Sequence, residues 1–455
     1  MRRLTPDLAV PVLLAVTLVA FAAGSSSVAG VVHAGRDGRW AALLALFVSA
    51  VIVGFVPGGR PVTHIRPSVV VAALVFLAVA VESALWSVDP RLTIERAATL
   101  VLLFATSAAL AVGCADRADA ARHMLWGIVA GALIVTALGL VTFAFDHAAA
   151  VQAATFDVPA RYRGVGESPD TVALLLALCL PIAVWLAFQG RTRRERWLAL
   201  VVAVAFDASI AASGSRGAIA AGFVGVFVVT ALAHERIRVR ALAGGVVAVF
   251  LVATIAIALA PTSKGNGTQA LQTTSVPKHG AQSAPASIKA KPGYVNVGVD
   301  YPFEFDVGFQ GPGETAPTHR TLFGLSGRGE AWRGALDLAD ARYVLGYGFG
   351  TEERVFINRY TNFVGGTPED SYIGIYLQLG AVGLAAFLAL VGALAFGALR
   401  RLTSPEASVS LGVLAAALVL AIVQSYIYSV GDIGTVTVWV CAFLGAVAVG
   451  RRKPT

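Results

Sequence analysis

The chain has 455 residues, of which 57% are hydrophobic and only 14% charged, and its formal net charge is +8. Soluble globular domains have about a quarter of their residues charged, so this composition excludes that class and predicts a polytopic membrane protein. The three cysteines all lie inside apolar runs, which favours packing roles over a disulfide framework or a metal cluster.

Twelve apolar runs are long enough to cross about 30 Å of hydrocarbon as helices. Their approximate bounds are residues 7–28, 40–57, 67–86, 95–114, 121–145, 169–189, 197–213, 216–234, 240–261, 371–399, 406–428 and 433–450. The first run is similar to a signal peptide, but its length and the eleven runs behind it favour an uncleaved anchor. The expected fold is therefore an all-α polytopic membrane protein with about twelve transmembrane helices.

The basic residues of the short loops predict the orientation, because cytoplasmic loops carry an excess of Arg and Lys. With the N-terminus inside, 18 basic residues fall in inner loops and tails and 7 in outer short loops. The seven are Arg36, Arg39, Arg91, Arg96, Arg161, Arg163 and Arg216. Both termini are thus expected in the cytoplasm. The basic balance is explained by topology and gives no reason to expect a nucleic-acid partner.

This orientation places one long connection, residues 262–370, on the extracytoplasmic side between helices nine and ten. The predicted organisation is helices one to nine in 1–261, the loop in 262–370, helices ten to twelve in 371–450 and a cytoplasmic tail in 451–455. A connection of this length is typical of a loop that carries function.

The long loop changes character along its length. Its first part is rich in Ser, Thr, Pro and Gly, which indicates mobility, and residues 294–309 alternate roughly as a strand does. From Gly327 the pattern is helical, and Gly346 is expected to stop the helix. The series Gly346, Gly348 and Gly350 follows a helix, so it predicts a tight loop and not a nucleotide-binding fingerprint.

Arg216 opens the eighth apolar run in the stretch SGSRGAIAAG. The free N–H groups of a helix N-terminus and a guanidinium both bind anions, phosphate above all, so this position favours an anion site. The alternative is a snorkelling arginine that keeps its charge at the membrane interface. Arg161, Arg163, Arg328 and Arg333 are expected on the same face with no acidic cluster to match them, which favours a lipid-linked diphosphate.

Five segments with short motifs follow one another along the chain: WSVDPRLTIERA (86–97), RGVGESPDTVALLLALCLP (163–181), SGSRGAIAAG (213–222), GRGEAWRGALDLADARYVLGYGFG (327–350) and EDSYIGIYLQLGAVGLAAF (369–387). Their order, their spacing and the predicted topology resemble the O-antigen ligase and O-antigen polymerase family of bacterial surface-glycan assembly. The resemblance covers about residues 86 to 390.

The resemblance implies a metal-independent glycosyltransferase without a cofactor, acting at the outer face of the bacterial cytoplasmic membrane. Such an enzyme moves a glycan from an undecaprenyl diphosphate carrier to a hydroxyl of a glycan, lipid or protein acceptor. Carried over residue by residue, Arg163, Arg216 and Arg328 contact the diphosphate, and Glu369 takes the place of the family's histidine as the base. Arg216 is expected to act with Glu369 in catalysis. The expected supporting residues are Arg161, Trp332, Asp370 and Tyr372.

The chain departs from the family pattern at its expected base. Glu369-Asp370 stands where the family has His-Asn, and Asp170 stands where it has Asn. A carboxylate whose pKa is raised in a partly dehydrated pocket can still take a proton from the acceptor hydroxyl. Guanidinium groups can stabilise the charge that develops on the leaving diphosphate.

Two functional alternatives stay open at this point. Ligase and polymerase share these motifs and differ in the acceptor, so the sequence does not separate them. A twelve-helix transporter is the alternative from another class. Carriers place charges near the midplane in paired halves, whereas the charges here collect at one face and no internal repeat is visible.

Overall fold

The computed structural model describes residues 6–26, 28–55, 63–114, 118–152, 160–232, 328–356 and 367–449. Within these residues the chain is mostly helical, as expected for a polytopic membrane protein. The helices before residue 233 are α1 (Pro6–Gly24), α2 (Ala29–Phe55), α3 (Pro67–Glu82), α4 (Pro90–Cys114), α5 (Ala118–Phe145), α6 (His147–Ala150), α7 (Pro169–Gln189), α8 (Arg193–Ser213) and α9 (Arg216–Leu232). Those after residue 327 are α10 (Arg328–Asp340), α11 (Glu352–Val355), α12 (Ser371–Leu399), α13 (Pro405–Ala421) and α14 (Thr435–Gly445).

Short antiparallel strand pairs join segments that are distant in sequence. Strand β1 (Thr63–Ile65) pairs with β4 (Val447–Val449) beside the start of α3. Strand β2 (Val151–Gln152) pairs with β3 (Arg161–Tyr162) just before α7. The second pair fixes the backbone of Arg161, one of the residues that the sequence places near the site.

Six of the described helices are long and apolar enough to cross a membrane: Pro67–Leu85, Pro90–Cys114, Asp119–Phe145, Pro169–Gln189, Arg193–Ser213 and Ser371–Leu399. Four further apolar helices are shorter: Leu8–Gly24, Arg216–Leu232, Pro405–Ala421 and Thr435–Gly445. The total of twelve spans stays a prediction. The ninth predicted run, 240–261, and the first part of the long loop lie outside the described residues.

Several helices begin earlier than the apolar pattern predicted, and α2 and α4 differ from it most at their starts. Helix α2 starts at Ala29, so Arg36 and Arg39 lie on a helix, and the prediction that they occupy a loop was wrong. Arg39 is tolerated there because its Nη1 donates to the Gly431 carbonyl oxygen at 2.8 Å and its guanidinium stacks on Trp40. Helix α4 starts at Pro90 because proline favours a first helical position, which places Arg91 and Arg96 on it as well.

Glycine allows α9 and α13 to pack in close contact. A side-chain carbon at Gly225 would lie 2.9 Å from the Gly412 carbonyl oxygen, and one at Gly412 would lie 2.8 Å from the Gly225 carbonyl oxygen. Small residues at a helix crossing let two backbones approach inside a membrane. Elsewhere the outward faces of the helices are apolar: the side chains of Ile52, Val71 and Leu74 are 60%, 60% and 59% exposed. Lipid is the environment that such faces suit.

Helix α12 is broken at Gly380, whose φ of 63° and ψ of −164° are not helical. The segment that follows α10, residues 341–350, supplies the missing backbone partners, and we call it the inserted loop. Ala381 N–H donates to the Tyr343 carbonyl oxygen at 2.7 Å, and Gly348 N–H donates to the Gln378 carbonyl oxygen at 2.8 Å. Irregular backbone at a membrane face is stable when other protein groups satisfy it in this way.

The inserted loop is the tight loop that its glycines predicted. Gly346, Gly348 and Gly350 have φ of 65°, 107° and 77°, a region that favours glycine. A side-chain carbon at Gly348 would overlap Ser87 in the turn between α3 and α4. Helix α10 ends at Asp340, so the prediction that Gly346 stops it was wrong: turns follow Asp340, and the Tyr343 and Val344 carbonyl oxygens accept from α12.

Candidate functional site

Four helix N-termini meet at one face of the bundle. They belong to α7, which Ser168 caps, to α9, which opens on Arg216, to α10, which opens on Arg328, and to α12, which Asp370 caps. Ion pairs and electrostatic interactions between their first residues show that these ends lie close together. Each N-terminus contributes about half a positive charge, so the face attracts anions even before its arginines are counted.

Arg161 is held between the ends of α7 and α8. Its Nη2 lies 2.8 Å from Asp170 Oδ1, and its Nε donates to the Ser213 carbonyl oxygen at 2.6 Å. The side chain is only 7% exposed. Ser215, just before α9, also hydrogen-bonds the Asp170 carboxylate. These contacts join the ends of three helices and leave little freedom for the Arg161 guanidinium.

Arg216 is the first residue of α9 and lies beside this pair. Its charge interacts with those of Arg161, Asp170 and Arg328. Its partly buried guanidinium therefore sits among two further arginines and one carboxylate at a helix N-terminus. A snorkelling arginine extends away from its neighbours into the headgroup region. The surroundings of Arg216 fit an anion site better.

Glu369 faces the start of α10. Its Oε2 lies 2.8 Å from Arg328 Nε, and the two side chains are 22% and 19% exposed. Burial raises the pKa of Glu369, and the charge of Asp170 acts in the same direction, while Arg328 opposes both. Among the described residues Glu369 is the one non-glycine with positive φ, at 55°. Such backbone strain persists where the surroundings enforce it, and it is commonest at functional sites.

The sequence showed no acidic cluster to match these arginines, but two of them have a carboxylate partner. Arg161 is paired with Asp170 and Arg328 with Glu369, because the turns that carry the carboxylates fold onto the arginines. The cluster that we call the arginine site consists of Arg161, Asp170, Arg216, Arg328 and Glu369. With three arginines, two carboxylates and four helix ends, it keeps a positive balance.

Arg163 lies apart from this cluster. Its Nε donates to the Ala149 carbonyl oxygen at 2.8 Å, and its Nη2 reaches the Ala148 carbonyl oxygen at 3.4 Å. Helix α6 therefore engages its guanidinium. The structure brings together Arg161, Arg216, Arg328 and Glu369 of the expected site residues, but not Arg163.

Of the other expected residues, Asp370 and Tyr372 lie at the start of α12 and Trp332 lies on α10. Asp370 Oδ1 accepts from the N–H groups of Tyr372 and Ile373 at 2.8 and 2.9 Å, so its carboxylate caps the helix. Burial raises the pKa of Asp370 to about 6. Tyr372 Oη donates to the Leu418 carbonyl oxygen at 3.1 Å and anchors α12 to α13. The buried indole N–H of Trp332 has no hydrogen-bond partner within the described part of the chain.

Sequence reasoning gave two residues too little weight. Asp170 stood out as an ionisable residue near a span and as a replacement of the family's asparagine, but the sequence did not identify Arg161 as its partner. For Ser215, the sequence indicated only that it lies just before a helix and gave no sign of its contact with Asp170. Within the residues that the structure covers, no group of three or more His, Cys, Asp or Glu side chains is placed to hold a metal ion.

The comparison with known families gives one match. Residues 200–388 match the family described as O-antigen ligase. The matched region holds Arg216, Arg328 and Glu369, three of the five members of the arginine site. No curated protein matches the chain significantly.

Proposed function

We propose that this protein transfers a glycan from undecaprenyl diphosphate to an acceptor hydroxyl at the outer face of the bacterial cytoplasmic membrane, because residues 200–388 match the O-antigen ligase family and the chain has helices that can span a membrane. The observation that supports this most is the arginine site, where four helix N-termini and three arginines meet at one face. A lipid-linked diphosphate is the anion that such a membrane-face site suits best.

The arginines stabilise the leaving group. When the glycosidic bond breaks, the bond's electron pair leaves with the diphosphate, and negative charge grows on its oxygens. Arg216 and Arg328 are placed to meet that charge, and helix N–H groups that are already oriented reinforce them. Arg161 has its Nη2 and Nε committed to Asp170 and Ser213, so we assign it to holding the site in shape.

Glu369 takes the proton of the acceptor hydroxyl. The hydroxyl oxygen forms a bond to the anomeric carbon while undecaprenyl diphosphate departs, and the hydroxyl proton passes to the Glu369 carboxylate. In the free protein that carboxylate pairs with Arg328. A bound diphosphate competes for the same guanidinium, so donor binding frees Glu369 to act as a base.

A reconstituted system tests the proposal. The purified protein in proteoliposomes, given an undecaprenyl-diphosphate-linked glycan and an acceptor glycan, is expected to release undecaprenyl diphosphate and to lengthen the acceptor. Arg216→Ala is expected to abolish both. Arg91→Ala is the control, because Arg91 is 90% exposed and pairs only with Glu95 one turn along α4 among the described residues. Release that does not depend on Arg216 would count against the proposal.

A deletion strain distinguishes the variants of this function. Surface glycans linked only as single repeats would indicate a polymerase. Polymer that stays on the lipid carrier would indicate a ligase, which is the reading we prefer. Normal glycans with a defect in solute uptake would support a transporter instead.

The outer placement of the long loop is a separate proposal. A cysteine introduced at Ser283 is expected to react with a membrane-impermeant thiol reagent in intact cells, because residues 262–370 are proposed to face outward. The three native cysteines are buried, which keeps the background low. Labelling seen only after lysis would reverse the orientation and the face assigned to the site.

A further inference from the structure

Glu352 is a buried carboxyl outside the arginine site, and no step above uses it. It opens the short helix α11 and is 4% exposed. Its Oε2 accepts hydrogen bonds from Gln378 Nε2 at 3.0 Å and from Tyr428 Oη. These donors come from α12 and from the turn after α13, so Glu352 joins three separate parts of the chain.

Ser425 connects Glu352 to the turn that carries Glu369. The Ser425 hydroxyl interacts with the Glu352 carboxyl. Its Oγ also accepts from Asp370 N–H at 3.1 Å and lies 3.3 Å from the Asp370 carbonyl oxygen, to which it can donate. Asp370 directly follows Glu369, the residue with φ of 55°. The strained turn is therefore fastened from behind by a hydroxyl that Glu352 contacts.

A protonated Glu352 is compatible with both contacts that Ser425 makes to Asp370. A hydroxyl has one hydrogen to donate and two lone pairs that accept. The Ser425 hydroxyl can donate its hydrogen to the Asp370 carbonyl oxygen and accept from Asp370 N–H with one lone pair. Its second lone pair can then accept from another donor. A neutral carboxyl is such a donor, whereas a carboxylate would compete for the same hydrogen.

We propose that Glu352 is a positioning residue that fixes the turn carrying Glu369. The inference rests on the proposed role of Glu369 as the base. Gly374 supports it, because a side-chain carbon there would overlap the Tyr428 hydroxyl and push it away from Glu352. The backbone of α12 thus leaves room for this one contact.

The proposal predicts a dependence on pH. Burial raises the pKa of Glu352 to about 8, from 4.5, with a smaller contribution from Glu353 on its own helix. The hydrogen bond from Tyr428, the charge of Arg96 on α4 and the hydrogen bond from Ser425 lower the pKa of Glu352, in that order, but they do not cancel the effect of burial. Asp370 faces Tyr428 from the start of α12. Because the folded pKa is the higher one, the stabilisation is fully present below the unfolded value of 4.5 and is lost as pH rises through about 8.

Hydrogen exchange at the Asp370 amide is the direct test, and it needs no substrate. Glu352→Leu is expected to speed that exchange about tenfold, the equivalent of one hydrogen bond. Tyr428→Phe, a milder change, is expected to act in the same direction and keeps the test usable if the leucine variant fails to fold. Glu352→Gln mimics the neutral acid and should leave exchange slow. Unchanged exchange in both Glu352→Leu and Tyr428→Phe would overturn the proposal.

Turnover supplies the second readout, with Glu353→Gln as the matched control. Glu353 loses the same charge but is 56% exposed and pairs with Arg96 at 3.7 Å. The parent and this control are expected to lose turnover above about pH 8 with an unchanged KM for the donor, while Glu352→Gln keeps its turnover there. A Glu352→Gln profile identical to the parent's would refute the role of Glu352. If neither the parent nor any variant transfers glycan, the proposed function is refuted. Hydrogen exchange at the Asp370 amide still tests the role of Glu352 in that case.

Discussion

Glu369→Gln is the change that most directly tests the chemistry proposed for the arginine site. Glutamine has nearly the same shape as glutamate, and its amide oxygen can still accept from Arg328. It can therefore replace the 2.8 Å contact between Glu369 Oε2 and Arg328 Nε. It also tolerates the φ of 55° about as well as glutamate does, because neither has a branched β-carbon. The variant therefore removes proton-accepting power with little change in packing.

The expected loss follows from the role of a general base. Positioned proton transfer contributes about 10² to 10⁴ in rate. At 1.36 kcal/mol for each tenfold, this is about 2.7 to 5.5 kcal/mol of transition-state stabilisation. The loss should appear in kcat. The KM for the donor should stay equal or fall, because a neutral amide competes with the diphosphate for Arg328 less strongly than a carboxylate does.

The pH profile gives an independent check. A base must be ionised, and burial raises the pKa of Glu369 above its usual value of 4.5. The parent's kcat is therefore expected to fall as pH drops through that raised value. The residual rate of Glu369→Gln should lack this acid limb.

Single-turnover transfer in proteoliposomes measures both effects, since it separates chemistry from product release. Asp370→Asn is the control at the neighbouring position. Its capping contacts to Tyr372 and Ile373 can be made by asparagine, so we expect less than a tenfold effect. Transfer by Glu369→Gln at the parent rate, with the acid limb intact, would place the base elsewhere.

Three further outcomes follow from the same contacts. Arg216→Lys should recover little of the transfer lost in Arg216→Ala, because a point charge does not reproduce the planar fork, and near-normal transfer would reduce Arg216 to an interfacial anchor. Arg161→Met should lower the free energy of unfolding by about 3 kcal/mol, because it leaves the Asp170 carboxylate without its arginine. Adding Asp170→Asn should restore part of that stability, and thermal melts that show no change in either variant would contradict the pairing. Gly380→Ala should cost about 3 kcal/mol or more, because the new carbon would overlap the Val344 backbone at a positive φ, whereas Gly392→Ala, with nothing within 4 Å, should be nearly neutral in the same melts.

The sequence predicted the helices best where an apolar run began at a clear start signal. The predicted runs 169–189 and 216–234 begin at the residues where α7 and α9 begin. The sequence did not predict the start of α2, because an arginine inside a helix is interpreted as a loop residue until its partner is known. The partner of Arg39 is the Gly431 carbonyl oxygen, which lies 392 positions away and leaves no local trace.

The same limit applies to the site. Arg161 and Arg163 are two positions apart, a spacing that puts both on one face of a strand. Strand β3 ends at Tyr162, and a turn at Gly164 with φ of 58° directs Arg163 to α6 instead. Glu352 gave no signal at all, because a Glu-Glu pair in a loop is typical of an exposed surface. Its burial depends on Gln378 and Tyr428, which reach it only after the bundle has assembled.

The break in α12 makes the position of the site less dependent on the thickness of the bilayer. The part of α12 after Gly380 is about 28 Å long at 1.5 Å per residue, close to the hydrocarbon depth of about 30 Å. That part alone can cross the membrane and can tilt when lipid chains are longer or shorter. The segment before the break, which carries Glu369, is fastened to the inserted loop through Gln378 and to the turn after α13 through Ser425. A change of lipid composition is therefore expected to affect the part of α12 after Gly380 first, while the turn that carries Glu369 keeps its alignment with α7, α9 and α10.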